Sequence, residues 1–232
     1  MRDDDIWHLK RLNFFPELTA EQKAALDKVS ETVKFGKDET IYFPGQLSNH
    51  VYVVREGFVR LSRPTPKGGF LTLDILNPGD IFGEMALAGQ DRQSDAAEAM
   101  KDCVLWAIPR SALVSLIMEN PAMALQITRI IGFRRWQIEN KVSSLLCTVP
   151  IRLARLVLTM ADRYPGKTKS GQRYVALRLT HQDMGELIGS NREIVTATLN
   201  KFKQDGVIDT VRNYIVVADE RRISDIAQRD KE

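Results

Sequence analysis

Residues 179–202 read LTHQDMGELIGSNREIVTATLNKF, and the order of polar and apolar positions predicts two short helices joined by a tight turn. Thr180 offers a capping hydroxyl to the first helix, Asp183 three places on completes a capping box, and Met184, Leu187 and Ile188 form the inward stripe. Gly189 suits the left-handed residue that ends a helix. Ser190 is expected to cap the second helix, with Glu193 again three places later. Ile194, Val195 and Leu199 are expected on its buried side, which leaves Asn191, Arg192, Glu193, Thr196, Thr198 and Lys201 for the exposed surface. An arginine can donate two hydrogen bonds to guanine O6 and N7, and a carboxylate can accept one from cytosine N4. A helix led by Arg192 and Glu193 therefore carries the chemistry to read base edges in a DNA major groove, and Thr180, His181 and Ser190 complete the candidate contact set. The helix pair taken alone also admits a purely structural reading, in which Glu193 completes a cap and Arg192 faces solvent.

The segment that follows separates these readings. Two short apolar runs, 207–211 and 214–217, flank Arg212-Asn213, a spacing that fits a β-hairpin with a turn-tolerant Asn at its corner. The pattern is a winged helix-turn-helix with Arg212 at the wing tip, where a phosphate backbone would pass. Charge agrees: residues 150–232 hold 15 Lys or Arg against 11 Asp or Glu, whereas residues 1–149 hold 18 against 19. The positive excess accompanies the helix pair, as contact with phosphates requires.

Upstream the pattern changes. Residues 18–33 have a helical spacing, after which 39–43, 50–54, 57–63, 70–76 and 103–108 are short strand candidates bounded by Gly, Pro, Asn or Asp. Many short strands with tight turns predict a β jelly roll, giving an α+β chain overall. Pro121 then opens a long helix to about Leu146, on which Ala124, Ile127, Ile131, Arg134, Ile138 and Leu145 keep a three-four spacing suited to zipping two subunits together or to packing on the helix's own domain, the dimer being favoured because two symmetry-related heads would span successive turns of DNA. The expected division is an effector-type barrel at 1–120, a dimerisation helix at 121–148 and the DNA-binding domain at 149–232.

With 232 residues and 44% hydrophobic content, the chain can bury one or two cores. No run approaches the apolar length of a membrane span, and the opening MRDDD is acidic where a secretory signal is basic, so a cytoplasmic location without membrane contact is expected. Cys103 and Cys147 are far apart and in apolar contexts, as buried free cysteines are, and no spacing suits a zinc or iron–sulfur centre. The three histidines, His8, His50 and His181, offer no convincing haem ligand. No nucleophile, base and acid come together in a motif, so catalysis is not expected.

The whole chain, over nearly residues 10–220, resembles the cyclic-AMP receptor and fumarate–nitrate-reduction regulator (CRP/FNR) family of bacterial transcription factors. The resemblance is carried by Ile41-Tyr42-Phe43-Pro44-Gly45, by Val51-Tyr52-Val53-Val54-Arg55-Glu56-Gly57 and by Asn77-Pro78-Gly79-Asp80-Ile81-Phe82-Gly83-Glu84-Met85-Ala86-Leu87. Ile151-Arg152-Leu153-Ala154-Arg155 and residues 189–199 add to it. It implies a homodimeric regulator that binds palindromic sites on double-stranded DNA and contacts RNA polymerase, with activation the commoner outcome. Its base-reading positions fall on Arg192 and Glu193, while a third, an Arg in several members, falls on Ala197.

The resemblance also implies an effector site at Phe82, Gly83, Glu84, Met85 and Ala86, like the phosphate-binding cassette of the family. Cyclic-AMP binders follow it with an Arg-Ser or Arg-Thr pair, aligned here with Gln93-Ser94, and Arg92 stands one place early. On a strand, a one-residue slip turns a side chain to the other face. The family's base-contacting positions match Gln137 and Ile138, and Ile138 has no group to bond adenine. These departures argue against cyclic AMP and leave another small effector, or none, as the expectation. A different class of function, a signalling or scaffold module whose C-terminal domain binds protein, predicts weak DNA affinity with little salt dependence.

Overall fold

A computed structural model describes residues 19–65 and 68–229. They fall into two compact units that part between Gln137 and Ile138. No helix among the described residues is long and apolar enough to cross a membrane.

In the first unit, helix α1 (Ala20–Val29) leads into eight strands: β1 (Glu31–Phe35), β2 (Thr40–Tyr42), β3 (His50–Glu56), β4 (Val59–Pro64), β5 (Phe70–Leu76), β6 (Ile81–Phe82), β7 (Ala96–Ala99) and β8 (Cys103–Pro109). They form two antiparallel sheets of order β1-β8-β3-β6 and β2-β7-β4-β5. Side chains from both sheets, among them Ile41, Val54, Leu61, Leu76, Phe82, Ala97 and Leu105, make one core between them. This is the jelly roll expected from many short strands. The outer face of the first sheet presents Val51, Val53, Ile81 and Ile108, and it is covered by α1, α2 (Arg110–Glu119) and the first half of α3 (Pro121–Ser144) through Leu26, Leu113, Met123, Ile127 and Ile130.

Local sequence explains most elements. Pro121 fits the first turn of α3, where its missing N–H has no intrahelical role. Gly57 has φ +87° between β3 and β4, and a Cβ there would lie 2.5 Å from the Asp102 carbonyl, so only glycine fits without displacement. The helix expected over 18–33 ends at Val29, because Val33 and Phe35 alternate into the core once Glu31–Phe35 pairs with β8. Leu18 lies outside the described residues. Strands β6 and β7 carry no alternation long enough to be read from sequence.

The second unit begins on the last turns of α3 and continues with α4 (Val149–Arg163), β9 (Pro165–Lys167), β10 (Arg173–Val175), α5 (His181–Ile188), α6 (Arg192–Gln204), β11 (Ile208–Val211), β12 (Tyr214–Val217) and α7 (Glu220–Gln228). Its sheet has the order β11-β12-β10-β9. Helix α4 packs on α5, α6 and α7 and buries Ile151, Leu153, Ala154, Val157, Met160 and Ala161. The wing is present: Arg212 and Asn213, with φ +51° and +66°, form the turn that joins β11 to β12.

Candidate functional site

The bihelical unit is held by short-range chemistry at each end. The Thr180 hydroxyl accepts from the Asp183 amide, and the Asp183 carboxylate accepts from the Thr180 amide, a closed capping box. Met184, Leu187 and Ile188 are buried, and Gly189 closes α5 with φ +65°. The cap of α6 is Asn191, whose side chain accepts from the Ile194 amide at 2.9 Å. This corrects the assignment to Ser190: starting the helix one residue later places Arg192 and Glu193 in its first turn. Arg152, from α4, donates to the Ile188 carbonyl and to the Gly189 carbonyl, the latter at 3.1 Å, and so fixes the turn to the domain core. Gly185 is required by close approach, since a Cβ would meet the Ser190 carbonyl at 2.7 Å.

Helix α6 buries Val195, Thr198, Leu199 and Phe202. Thr198, counted from sequence among the DNA-facing residues, is inside, with its hydroxyl donating to the Ile194 carbonyl at 2.8 Å. Ile194, expected inside, is 46% exposed. The helix has rotated by about one residue relative to that expectation, because Phe202 and Thr198 extend the stripe of Val195 at seven- and three-residue spacing. Arg192, Glu193, Ala197, Asn200, Lys201 and Lys203 are exposed. Neither the Arg192 nor the Glu193 side chain has an ion pair or hydrogen bond among the described residues, which leaves both free for an external partner. Arg212 is exposed on the wing turn.

Between the two helices, His181 Nδ1 and Thr196 Oγ1 are 2.7 Å apart, and the Thr196 hydroxyl donates its proton to the Arg192 carbonyl at 2.8 Å. His181 Nδ1 must then be the donor to Thr196, which leaves Nε2 as the outward nitrogen. Burial lowers the His181 pKa, and Lys203 and Arg192 lower it further. The site thus gathers Arg192, Glu193, Asn191, Thr196 and His181 at one helix start. Asn200 and Lys203 are further exposed polar positions on α6.

The effector segment looks different in three dimensions. Phe82 is buried in a ring cluster with Tyr42 and Tyr52, at centroid separations of 6.0 and 5.1 Å, and Ala86 belongs to the core beneath the helices. Both side chains are buried in packing. Gly83, with φ +74°, turns the chain into a short 3-10 segment, Glu84–Ala86, whose following amides bond within the turn: Ala86 to Gly83, Leu87 to Glu84 and Ala88 to Met85. Arg92 is exposed and donates to the Gly45 carbonyl at 2.6 Å. Gln93 is buried, Ser94 is exposed with Arg63 Nη2 at 3.4 Å from its hydroxyl, and Gln137 is half-buried.

Glu84 is occupied by a residue assigned from sequence to the subunit interface. Arg134 turns into its own unit, places Nη1 2.5 Å from Glu84 Oε2 and donates through Nη2 to the Ile81 carbonyl. Burial alone would lower the guanidinium pKa, but Glu84, Asp74 and Asp80 outweigh it and raise it, so Arg134 stays charged. Ile127 and Ile131 also pack on the barrel, and Leu145 lies against Gly189, where a Cβ would come within 2.8 Å of its Cδ2. Of the six residues proposed for dimerisation, Ala124 is half-buried and Ile138 is exposed; Val142 and Leu146, one and two turns beyond Ile138, are 60% and 67% exposed.

Two family models match the chain: a cyclic nucleotide-binding domain over residues 32–120 and a Crp-like helix-turn-helix domain over residues 151–226. A CRP-like cAMP-activated global transcriptional regulator of Mycobacterium tuberculosis is 28% identical over 217 residues, spanning 93% of this chain and 96% of that protein. The transcriptional regulator SdrP of Thermus thermophilus is 29% identical over 205 residues, spanning 88% and 97%. Among solved structures, a CRP/FNR-family transcriptional regulator from Thermus thermophilus superimposes with a TM-score of 0.72 at 26% identity, covering 87% of this chain and all of that one. FixK2 of Bradyrhizobium japonicum has the same fold, with a TM-score of 0.75 at 24% identity over 88% of this chain and all of its own. A nucleotide-binding-type barrel and a Crp-like reading head in one chain, matched along nearly their whole length by such relatives, place this protein in the CRP/FNR family of DNA-binding transcription regulators.

Proposed function

We propose that the protein acts as a homodimer that reads a palindromic promoter site, with α6 of each subunit in successive major grooves. The observation that carries this reading is the unpaired, exposed Arg192 and Glu193 on the first turn of a helix whose opposite face is anchored by Val195, Leu199 and Phe202. Asn191, Thr196 and Lys201 flank them, and Arg212 on the wing meets phosphate. Ile138 and Val142 on the last turns of α3, and Leu146 just beyond its end, are exposed apolar positions that a second subunit would cover.

The division into barrel (1–120), dimerisation helix (121–148) and reading head (149–232) is then functional: the first module regulates, the second pairs subunits and the third binds DNA. We assign the regulator to the cytoplasm, to activation through contact with RNA polymerase, and to an effector other than cyclic AMP. The departures at Gln93 and Ile138 support the last point.

Selection of binding sites from random duplex DNA by the purified chain at fixed salt, with and without cyclic AMP, tests this. The expected result is the same palindrome in both arms. Enrichment only with cyclic AMP overturns the effector assignment, and no enrichment together with weak, salt-insensitive binding favours a protein-binding module.

A further inference from the structure

A cyclic nucleotide, which the barrel's family description implies, brings an anionic phosphate and ribose hydroxyls, and the residues present do not fit it. A receptor for that ligand needs a free carboxylate for the ribose and a cation for the phosphate. Here the Glu84 carboxylate is engaged 2.5 Å from Arg134 Nη1, with the two side chains only 9% and 15% exposed. Arg92 is exposed and donates to the Gly45 carbonyl.

A second carboxylate, Asp95, stands where a phosphate-binding site needs positive charge. It accepts from the Tyr42 hydroxyl at 3.3 Å and lies within electrostatic reach of Glu84 and Arg134, with Arg63 the other nearby cation. Asp74 and Asp80 also act on Arg134. Glu84 and Asp95 therefore both stand beside Arg134, and an entering phosphate would have to displace a carboxylate from that guanidinium in a partly buried setting.

The group that fits is a planar cation with several N–H donors, which is what Arg134 supplies. A guanidinium matches a carboxylate in shape and donates at the same time to a backbone carbonyl, as Arg134 does to Ile81. We infer that the Glu84 cradle is a cation receptor whose resident ligand is the chain's own Arg134 side chain, and that small guanidinium compounds, rather than cyclic nucleotides, are the external ligands it can take. Tethering on α3 gives Arg134 a high effective concentration, so an outside cation competes poorly while that side chain is present. This rests on the first unit being the regulatory module, but its test reads thermal stability and not DNA binding, so failure of one is distinguishable from failure of the other.

The test is chemical rescue of the full-length chain. Arg134→Ala should melt below the wild type, and millimolar methylguanidinium chloride should raise its Tm saturably above a matched sodium chloride control, as a ligand bound only by the folded state does. The wild type and the double variant E84Q/R134A should not respond, and cyclic AMP or cyclic GMP should shift none of the three. Equal response of E84Q/R134A and R134A, no response from folded R134A, or stabilisation of the wild type by either nucleotide overturns the inference. If R134A does not fold unaided, refolding with methylguanidinium decides: recovery of native far-UV dichroism supports the receptor, and failure to recover overturns it.

Discussion

His181 Nδ1 donates to Thr196 Oγ1 across 2.7 Å and so ties the first residue of α5 to the half-buried second turn of α6. The Thr196 proton is engaged by the Arg192 carbonyl, which fixes the imidazole proton on Nδ1 and turns Nε2 outward.

A pH dependence follows, and its sign differs for folding and for DNA binding. Burial, Lys203 and Arg192 hold the His181 pKa below its ordinary 6.5, so between that lowered value and 6.5 the unfolded chain binds more protons than the folded one. Stability of the free protein should therefore fall as the pH drops below 6.5. A nearby DNA phosphate favours the imidazolium, so DNA binding should take up a proton and tighten over the same window. Binding isotherms from pH 8 to about pH 6 check this; the slope should flatten in His181→Ala, and a slope unchanged in that variant removes His181 from the interface.

Arg192→Ala should weaken binding to the selected site by roughly 10- to 100-fold, the range for one lost bidentate base contact, while leaving non-specific duplex nearly unaffected. Arg212→Ala should instead weaken both and lower the salt slope by about one counterion. Titrations at several salt concentrations separate the two patterns. Equal loss on both duplexes for Arg192→Ala would count against base reading.

Gly185→Val should disrupt the reading head without touching a DNA-facing residue. Its Cβ would lie 2.7 Å from the Ser190 carbonyl, so α6 must move away from α5. The expected outcome is a drop in Tm and at least a tenfold loss of specific affinity, about 1.4 kcal/mol. Wild-type binding by a well-folded Gly185→Val protein would show that this turn tolerates displacement.

Val142→Glu, at a position 60% exposed on α3, should turn a dimer into monomers, since charge burial at an apolar seam is costly. Sedimentation equilibrium reads the assembly state directly. Retention of the dimer would shift the interface away from Ile138, Val142 and Leu146.

Asp95→Asn should raise the Tm at pH 7. Burial, then Glu84, raise the carboxyl pKa against the opposing effects of Tyr42, Arg134 and Arg63. The folded state therefore binds more protons than the unfolded state from 3.8 up to the raised value, and the stability Asp95 contributes in acid is lost as pH rises through it. Thermal melts at pH 4 and pH 7 should show the gain mainly at the higher pH.

Short-range signals alone were enough for the reading head and the wing. The Thr180–Asp183 capping box, the left-handed Gly189, Arg192-Glu193 at a helix start and the Arg212-Asn213 corner all depend on residues within a few positions of one another, where backbone sterics and local hydrogen bonds dictate geometry. The jelly-roll class was legible for the same reason, from alternating strands and turn residues. What tertiary structure decided were the choices among side chains with more than one possible partner. The three-four spacing along α3 is satisfied equally by a partner subunit or by the barrel, and packing sends Ile127 and Arg134 to the barrel and leaves Ile138, with Val142 one turn on, exposed. Strands of two to four residues, such as β6, β9 and β10, exist only because a neighbour supplies their hydrogen bonds. The Glu84–Arg134 pair joins residues fifty positions apart, and a charge pair at that range leaves no periodicity to read, because chain folding alone brings the two groups together.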